Sequence, residues 1–215
     1  MSTESDHRVP TEITASNFIL VEGPDDEKLI YKIAEQHGVS DLQLHPVWGK
    51  DKFADVIGVL HLVPGFLNVR TVGIVRDADA SRDSAFTSSA AALRRAGFVQ
   101  PDGNLEIATG DPGAIILIVP PDRTEGVLED LCFDSVKVSN PAITDCTDSF
   151  LDCAGENGAT LPHRAKSRAF AYIATTDQPY LRLGEAAEAG VWNLESEAFD
   201  PIRDMLEKMA SHSGS

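Results

Sequence analysis

The sequence predicts an α/β fold, with a mostly parallel sheet flanked by helices and a helical C-terminal portion. Three observations carry that reading. Short apolar runs of strand length alternate with stretches of helical periodicity. Most of the spacers carry helix-start and helix-stop residues rather than hairpin turns. Two of the apolar runs end in acids, and the carboxyl ends of strands are where ligands sit in such sheets. With 215 residues, 42% of them hydrophobic, the chain is long enough to bury a core of its own.

The elements follow in order. NFILV (17–21) suits a buried strand and stops at Glu22 and Gly23. PDDEK (24–28) opens a helix: Pro and acids fill its first turn, Leu29, Ile30, Ile33 and Ala34 recur at helical spacing, and Gly38 stands just past its end. LQLHPV (42–47) reads as a second strand, and Pro46 places it at an edge or a strand end. WGKDK (48–52) is a turn, and 53–62 fits a helix blemished by Gly58. A third strand over 69–75 runs into Arg76, Asp77, Ala78 and Asp79, and 82–96 fits a helix closed by Gly97. Strands over 105–109 and 114–119 flank the turn GDPG, and Pro120 and Pro121 end the second. Helices are expected over 124–133, 141–154, 163–174 and 200–209. The chain therefore divides into a disordered lead (1–16), an α/β core (17–135) and a helical portion (136–215) packed on that core.

Charge and cysteine content narrow the function. The net charge is −16, from 34 acids against 18 bases. Such a surface favours solubility and repels polyanions at long range. No apolar run has the roughly 18–20 residues that span a bilayer, and the polar N-terminus does not read as a signal peptide. The three cysteines, Cys132, Cys146 and Cys153, have no CxxC spacing. They read as reduced thiols in a cytoplasmic protein. Cys146, Cys153 and His163 match no common zinc-finger spacing.

The acids carry the chemistry. Glu22 ends the first strand, and Asp77 and Asp79 follow the third. If those strands are neighbours, three carboxylates converge. Side chains alternate along an extended strand, so Asp77 and Asp79 share a direction and the small Ala78 points away. Converging carboxylates repel unless a cation neutralises them, and hard oxygen ligands suit Mg²⁺ or Mn²⁺. The competing reading is a solvated strand-to-helix turn with an acid or Ser81 as N-cap. Asp26 lies one helical turn after Glu22 and can face the same site, although first-turn acids also favour the helix dipole. Ser81 and Asp83 are either outer ligands or capping residues. A DxD after an apolar strand also occurs in dehalogenase-type phosphatases and in nucleotide-sugar glycosyltransferases.

FILVEGPDDEKLI (18–30) followed by VGIVRDADAS (72–81) resembles the Toprim domain of topoisomerases, DnaG-type primases and OLD-family nucleases. The family pattern places Glu22 and Gly23 at the first strand end, Asp26 soon after, and Asp77 and Asp79 at the later strand end. The resemblance implies a Toprim-like, Rossmann-like sheet. IVPPDRTEGVLEDLCF (118–133) is similar to a segment of small standalone Toprim proteins near the OLD group, and implies Glu129 as a further metal-site acid. HRAKSRAFAYIA (163–174) resembles the OLD helix that carries a basic residue, which maps to Lys166. GVWNLESEAFDPIRDML (190–206) resembles the closing segment of the same small proteins. No phosphate-loop GxxxxGK motif is present, so the ATPase half of full-length OLD proteins is not expected here.

The expected activity is that of a metal-dependent nuclease. One or two Mg²⁺ or Mn²⁺ ions would be held by Glu22, Asp77 and Asp79 with Asp26 and Glu129. Glu22 would serve as an acid/base group and Lys166 as a transition-state charge. Gly23 would allow a tight turn and close approach to a phosphate. Lys50, with Lys52, and Arg164 and Arg168 are the phosphate-contact candidates; for the arginines the alternative is ion pairing with the many acids. Trp48 and Trp192 read as packing residues. DNA is expected ahead of RNA as substrate, with an ABC- or AAA-type ATPase and a homo-oligomer as candidate partners and no membrane. The alternatives are a Toprim ribonuclease on structured RNA, a non-catalytic binding module, and a phosphotransferase that uses Asp77 as nucleophile.

Overall fold

The computed structural model describes residues 9–212. Its sheet is built on β1 (Asn17–Val21), whose five residues are all buried, as befits a strand covered on both faces. β1 pairs in parallel with β2 (Leu42–Pro46) and with β3 (Thr71–Asp77). β3 pairs in parallel with β5 (Gly113–Val119), and the two-residue β4 (Ile107–Ala108) closes the far edge antiparallel to β5. The order is β2-β1-β3-β5-β4. Pro46, which has no N–H, ends the edge strand β2, where a donor is least needed.

Helices lie on both faces. α1 (Pro24–Gln36) packs Leu29, Ile30 and Ile33 on the face made by Ile19, Val21, Val75, Ile115 and Leu117. α2 (Phe53–Val59) and α3 (Arg82–Arg95) pack on Phe18, Leu20, Val72, Ile74 and Ile116. The alternation of strand side chains sorts these two cores. Because the chain leaves β1 through α1 and returns past β1 through α2 on the other face, a crevice opens at the carboxyl ends of β1 and β3.

The C-terminal helices thicken the α1 face. They are α4 (Leu128–Lys137), α5 (Pro141–Glu156), α6 (Arg164–Ile173), α7 (Leu183–Glu188) and α8 (Asp200–Ser211). α8 buries Ile202, Met205, Leu206 and Met209, each worth about 1.5–3 kcal/mol against exposure. It lies close to β3 because Gly73 has no side chain: a Cβ there would stand 2.6 Å from Met205 Cε and 3.0 Å from Ile19 Cγ1. α7 docks on α1, where Gly184 N–H donates to Asp25 Oδ1 at 3.1 Å.

Four differences from the sequence reading have local causes. β3 runs on to Asp77 because Arg76 and Asp77 pair with Ile118 and Val119 of β5. α4 starts at Leu128 rather than 124 because Gly126, at φ 135, is bridged to Asp79 in both directions, at 2.8 and 2.9 Å. α7 was not foreseen: LGEAAE is six residues long and holds a glycine. The expected disordered lead falls partly outside the described residues. Over 9–16 the chain is fastened, with Ile13 buried, its N–H donating to Pro64 O at 2.8 Å and Thr14 N–H donating to Gln43 Oε1 at 2.8 Å.

Candidate functional site

The neighbouring strands β1 and β3 bring Glu22 and Asp77 together. Asp77 N–H donates to Glu22 Oε1 at 3.2 Å. Asp77 Oδ1 in turn accepts from Leu128 N–H, the first residue of α4, at 2.8 Å. Asp26 sits in the first turn of α1, where its Oδ2 accepts from Gly23 N–H at 2.9 Å. Glu129 sits in the first turn of α4. Two strand ends and two helix N-termini thus face one region, and the helix dipoles favour negative charge there.

The carboxyls act on one another. Burial pushes Asp77 well above the usual carboxylate range, and the charges of Asp26, Glu22 and Glu129 push it further. Asp26 is raised to about 7, first by burial and then by Glu22, with Glu129 adding. Burial and Asp79 raise Glu22, against the Asp77 N–H, Arg76 and Lys50. Burial raises Glu129, and Lys166 opposes it. Lys166 Nζ stands 3.7 Å from Glu129 Oε1. Its ammonium is held above its ordinary range by Glu129 first, with Asp77, Asp26 and Glu22 contributing. Mutual raising of this kind marks like charges gathered faster than counter-charge.

Asp79 joins by a route the sequence did not show. Its backbone is left-handed, at φ 51, so strand alternation stops at Asp77 and no longer predicts where Asp79 points. Its carboxylate is bound to Lys50 Nζ at 2.9 Å and acts on Glu22. Ser81 takes the capping role, with its Oγ accepting from Ser84 N–H at 3.2 Å.

A cavity of about 730 Å³ opens beside the acids and shares Asp79 and Lys166 with them. Its charged lining is Lys50, Arg123, Arg164 and Lys166 against Asp79, Glu125 and Asp130. Four bases against three acids is a local reversal in a chain with 18 bases and 34 acids. Arg164 lines this cavity, although its Nη2 is paired with Asp152 Oδ1 at 2.6 Å.

One expectation is corrected. Arg168 is not free to meet a phosphate: only 17% of its side chain is exposed, Nη2 is 2.8 Å from Asp130 Oδ1, and the guanidinium lies 4.4 Å over the Phe133 ring. It clamps α6 to α4. Gly23 stands in extended backbone, at φ −146, as the N-cap of α1. Its N–H is engaged by Asp26, and a Cβ would stand 3.2 Å from Asp26 Oδ2.

Two bases went unnoticed in the sequence. Arg76 places Nε 3.7 Å from Glu22 Oε1, donates from Nη1 to Ser88 Oγ at 2.6 Å and lies over Phe53. Its signal was its place between the apolar run and Asp77. Arg123 lines the cavity and pairs with Asp134. Nothing in its local sequence distinguished it, because its place depends on a loop and on α4.

Among the described residues, no three His, Cys, Asp or Glu side chains are already gathered closely enough to hold an ion. The donor chemistry nevertheless suits one: partly buried carboxylates that raise one another's pKa are hard oxygen ligands in need of positive charge.

Residues 16–211 match the family model described as "Protein of unknown function (DUF3226)". Solved structures similar to the chain include the C-terminal region of the Burkholderia pseudomallei OLD protein, at 17% identity and TM-score 0.48, covering 92% of this chain and 98% of that one. The C-terminal region of the Xanthomonas campestris pv. campestris OLD protein is similar at 14% identity and TM-score 0.46, covering 91% and 97%. No curated protein matches the chain.

Proposed function

From the premise that the chain belongs to the DUF3226 family, we propose that it is a metal-dependent phosphodiesterase, a nuclease acting on DNA. The observation that carries this reading is the coupling of Glu22, Asp26, Asp77 and Glu129 with Lys166 beside a base-lined cavity. The paired strand-end motifs, Glu22-Gly23 and Asp77-x-Asp79, support it from the sequence side.

Glu22, Asp77 and Asp79, with Asp26 and Glu129, would hold one or two Mg²⁺ or Mn²⁺ ions. Bound there, the metal supplies an activated water and charge stabilisation at the phosphate. The chain's own groups do the rest. Leu128 N–H holds Asp77 in place, and Arg76 steadies Glu22. Glu22, raised by burial, would be the group that takes or returns a proton. Lys166 adds a fixed positive charge where negative charge grows in the transition state. Lys50, Arg123 and Arg164 line the cavity and would meet the phosphate backbone there. A separate ABC- or AAA-type ATPase as working partner follows from the OLD resemblance. A pull-down that returns no ATPase counts against that partner.

The test is a nicking and cleavage assay on supercoiled plasmid, linear DNA and total RNA with Mg²⁺, Mn²⁺ or EDTA. The expected result is metal-dependent cleavage of DNA that Asp77→Ala abolishes while the fold survives by circular dichroism. Cleavage in EDTA, or undiminished cleavage by the variant, overturns the mechanism, and cleavage of RNA alone overturns the choice of DNA.

A further inference from the structure

The loop between β2 and α2 carries a tryptophan that the core does not use. Trp48 is 56% exposed. Trp192, by contrast, is 2% exposed, stacks on Tyr172 with centroids 5.7 Å apart, and donates from Nε1 to Leu183 O at 3.1 Å. Trp48 also sits at φ 63, a left-handed conformation that bulky side chains rarely adopt. More than half of Trp48 is left in water on a backbone conformation that costs energy, and such conformations cluster at functional sites.

Its surroundings say what it faces. Val47 N–H donates to Val21 O at 2.9 Å, and Gly49 N–H donates to Glu22 O at 3.0 Å. The residues on both sides of Trp48 are therefore bonded to the β1 end, one of them to Glu22 itself. Two residues on, Lys50 is bound to Asp79 and lines the cavity. The backbone that carries Trp48 is thus tied to the end of β1 beside the acid site, two residues from a cation that lines the cavity. An exposed aromatic close to a cation is a pairing that suits single-stranded nucleic acid: the ring can stack on a base while the cation holds its backbone.

We propose that Trp48 stacks on an unpaired base, so that the substrate of this site is a nucleic-acid strand with single-stranded character where it is cut. The inference rests on the nuclease reading and sharpens it. In duplex DNA the bases already stack on one another, and their faces are closed to the indole. A single strand, a flap or a frayed end offers a free face. Lys50 receives the adjoining phosphate and directs the strand toward Asp79 and Glu22.

Trp48 is its own reporter, because buried Trp192 contributes a constant background. Wild-type protein in Ca²⁺ is titrated with a short single-stranded oligothymidylate and with a blunt duplex of equal length. Fluorescence and anisotropy are followed, and the binding is repeated with Trp48→Ala and Trp48→Phe. The single strand should quench the emission and bind more tightly than the duplex. Trp48→Ala should lower that preference by about tenfold, within the range for loss of one base stack, while Trp48→Phe, which keeps a ring, should retain most of it. Equal quenching by duplex, or an unchanged preference in Trp48→Ala, overturns the stacking role. The cleavage assay separates this from failure of the nuclease reading: metal-dependent cleavage that persists without any strand preference leaves the enzyme standing and removes Trp48 from substrate recognition. Should Trp48→Ala fold poorly, the wild-type quenching and Trp48→Phe still decide.

Discussion

Replacing Asp26 with asparagine should make the metal-free protein more stable at alkaline pH, although it removes a group from the heart of the site. Asp26 titrates at about 7, against an ordinary value of 3.8, because it is buried and faces Glu22 and Glu129. The folded state therefore binds that proton more tightly than the unfolded chain does. Stability from this group is fully present below about 3.8, falls as pH rises toward 7, and stays lost above. At about 1.36 kcal/mol per pH step, the loss is about 4 kcal/mol. Asparagine cannot ionise, so the variant escapes this loss, and its side-chain oxygen can still accept the Gly23 N–H that caps α1. In EDTA at pH 8.5, urea unfolding should show Asp26→Asn more stable than wild type by up to about 4 kcal/mol. Near pH 4 the two should converge. Added Mn²⁺ should reverse the order at pH 8.5, since the cation rewards the charge that asparagine lacks. If the variant is no more stable than wild type in EDTA at pH 8.5, the four carboxyls are not electrostatically crowded and the argument for the site fails.

Lysine and arginine on α6 should separate cleanly. Arg168→Ala breaks a partly buried ion pair and an aromatic contact, and should lower unfolding stability by roughly 2 kcal/mol. Lys166→Ala removes a half-exposed charge; unfolding should shift by no more than about 1 kcal/mol, while cleavage falls on the order of 100-fold. Gly65 sits at φ 87, and a Cβ there would stand 1.8 Å from Ile13 O. Gly65→Ala should therefore loosen the 9–16 segment and cost roughly 2 kcal/mol or more by urea midpoint.

The sequence alone determined the five-strand α/β plan in outline. NFILV and GAIILIV are continuous apolar runs, and helix starts such as PDDEK need only local chemistry to be recognised. It also located Glu22, Asp26 and Asp77, because an acid that ends a buried strand or opens the next helix is placed by the element itself. Only tertiary structure decided what depends on contacts between distant segments. The bridge between Asp79 and Gly126 turned Asp79 out of strand geometry and delayed α4. Asp130 and Phe133 claimed Arg168 for packing, whereas Lys166, two residues away on the other side of α6, was left facing the acids. Hydrogen bonds from the neighbouring residues tie the Trp48 backbone to the β1 end and leave the residue exposed, while Trp192, the same residue type, was drawn into the core. The physical reason is range. Periodicity, capping and strand ends are written within a few residues, but which charge is neutralised and which ring is buried is settled by partners tens of residues away.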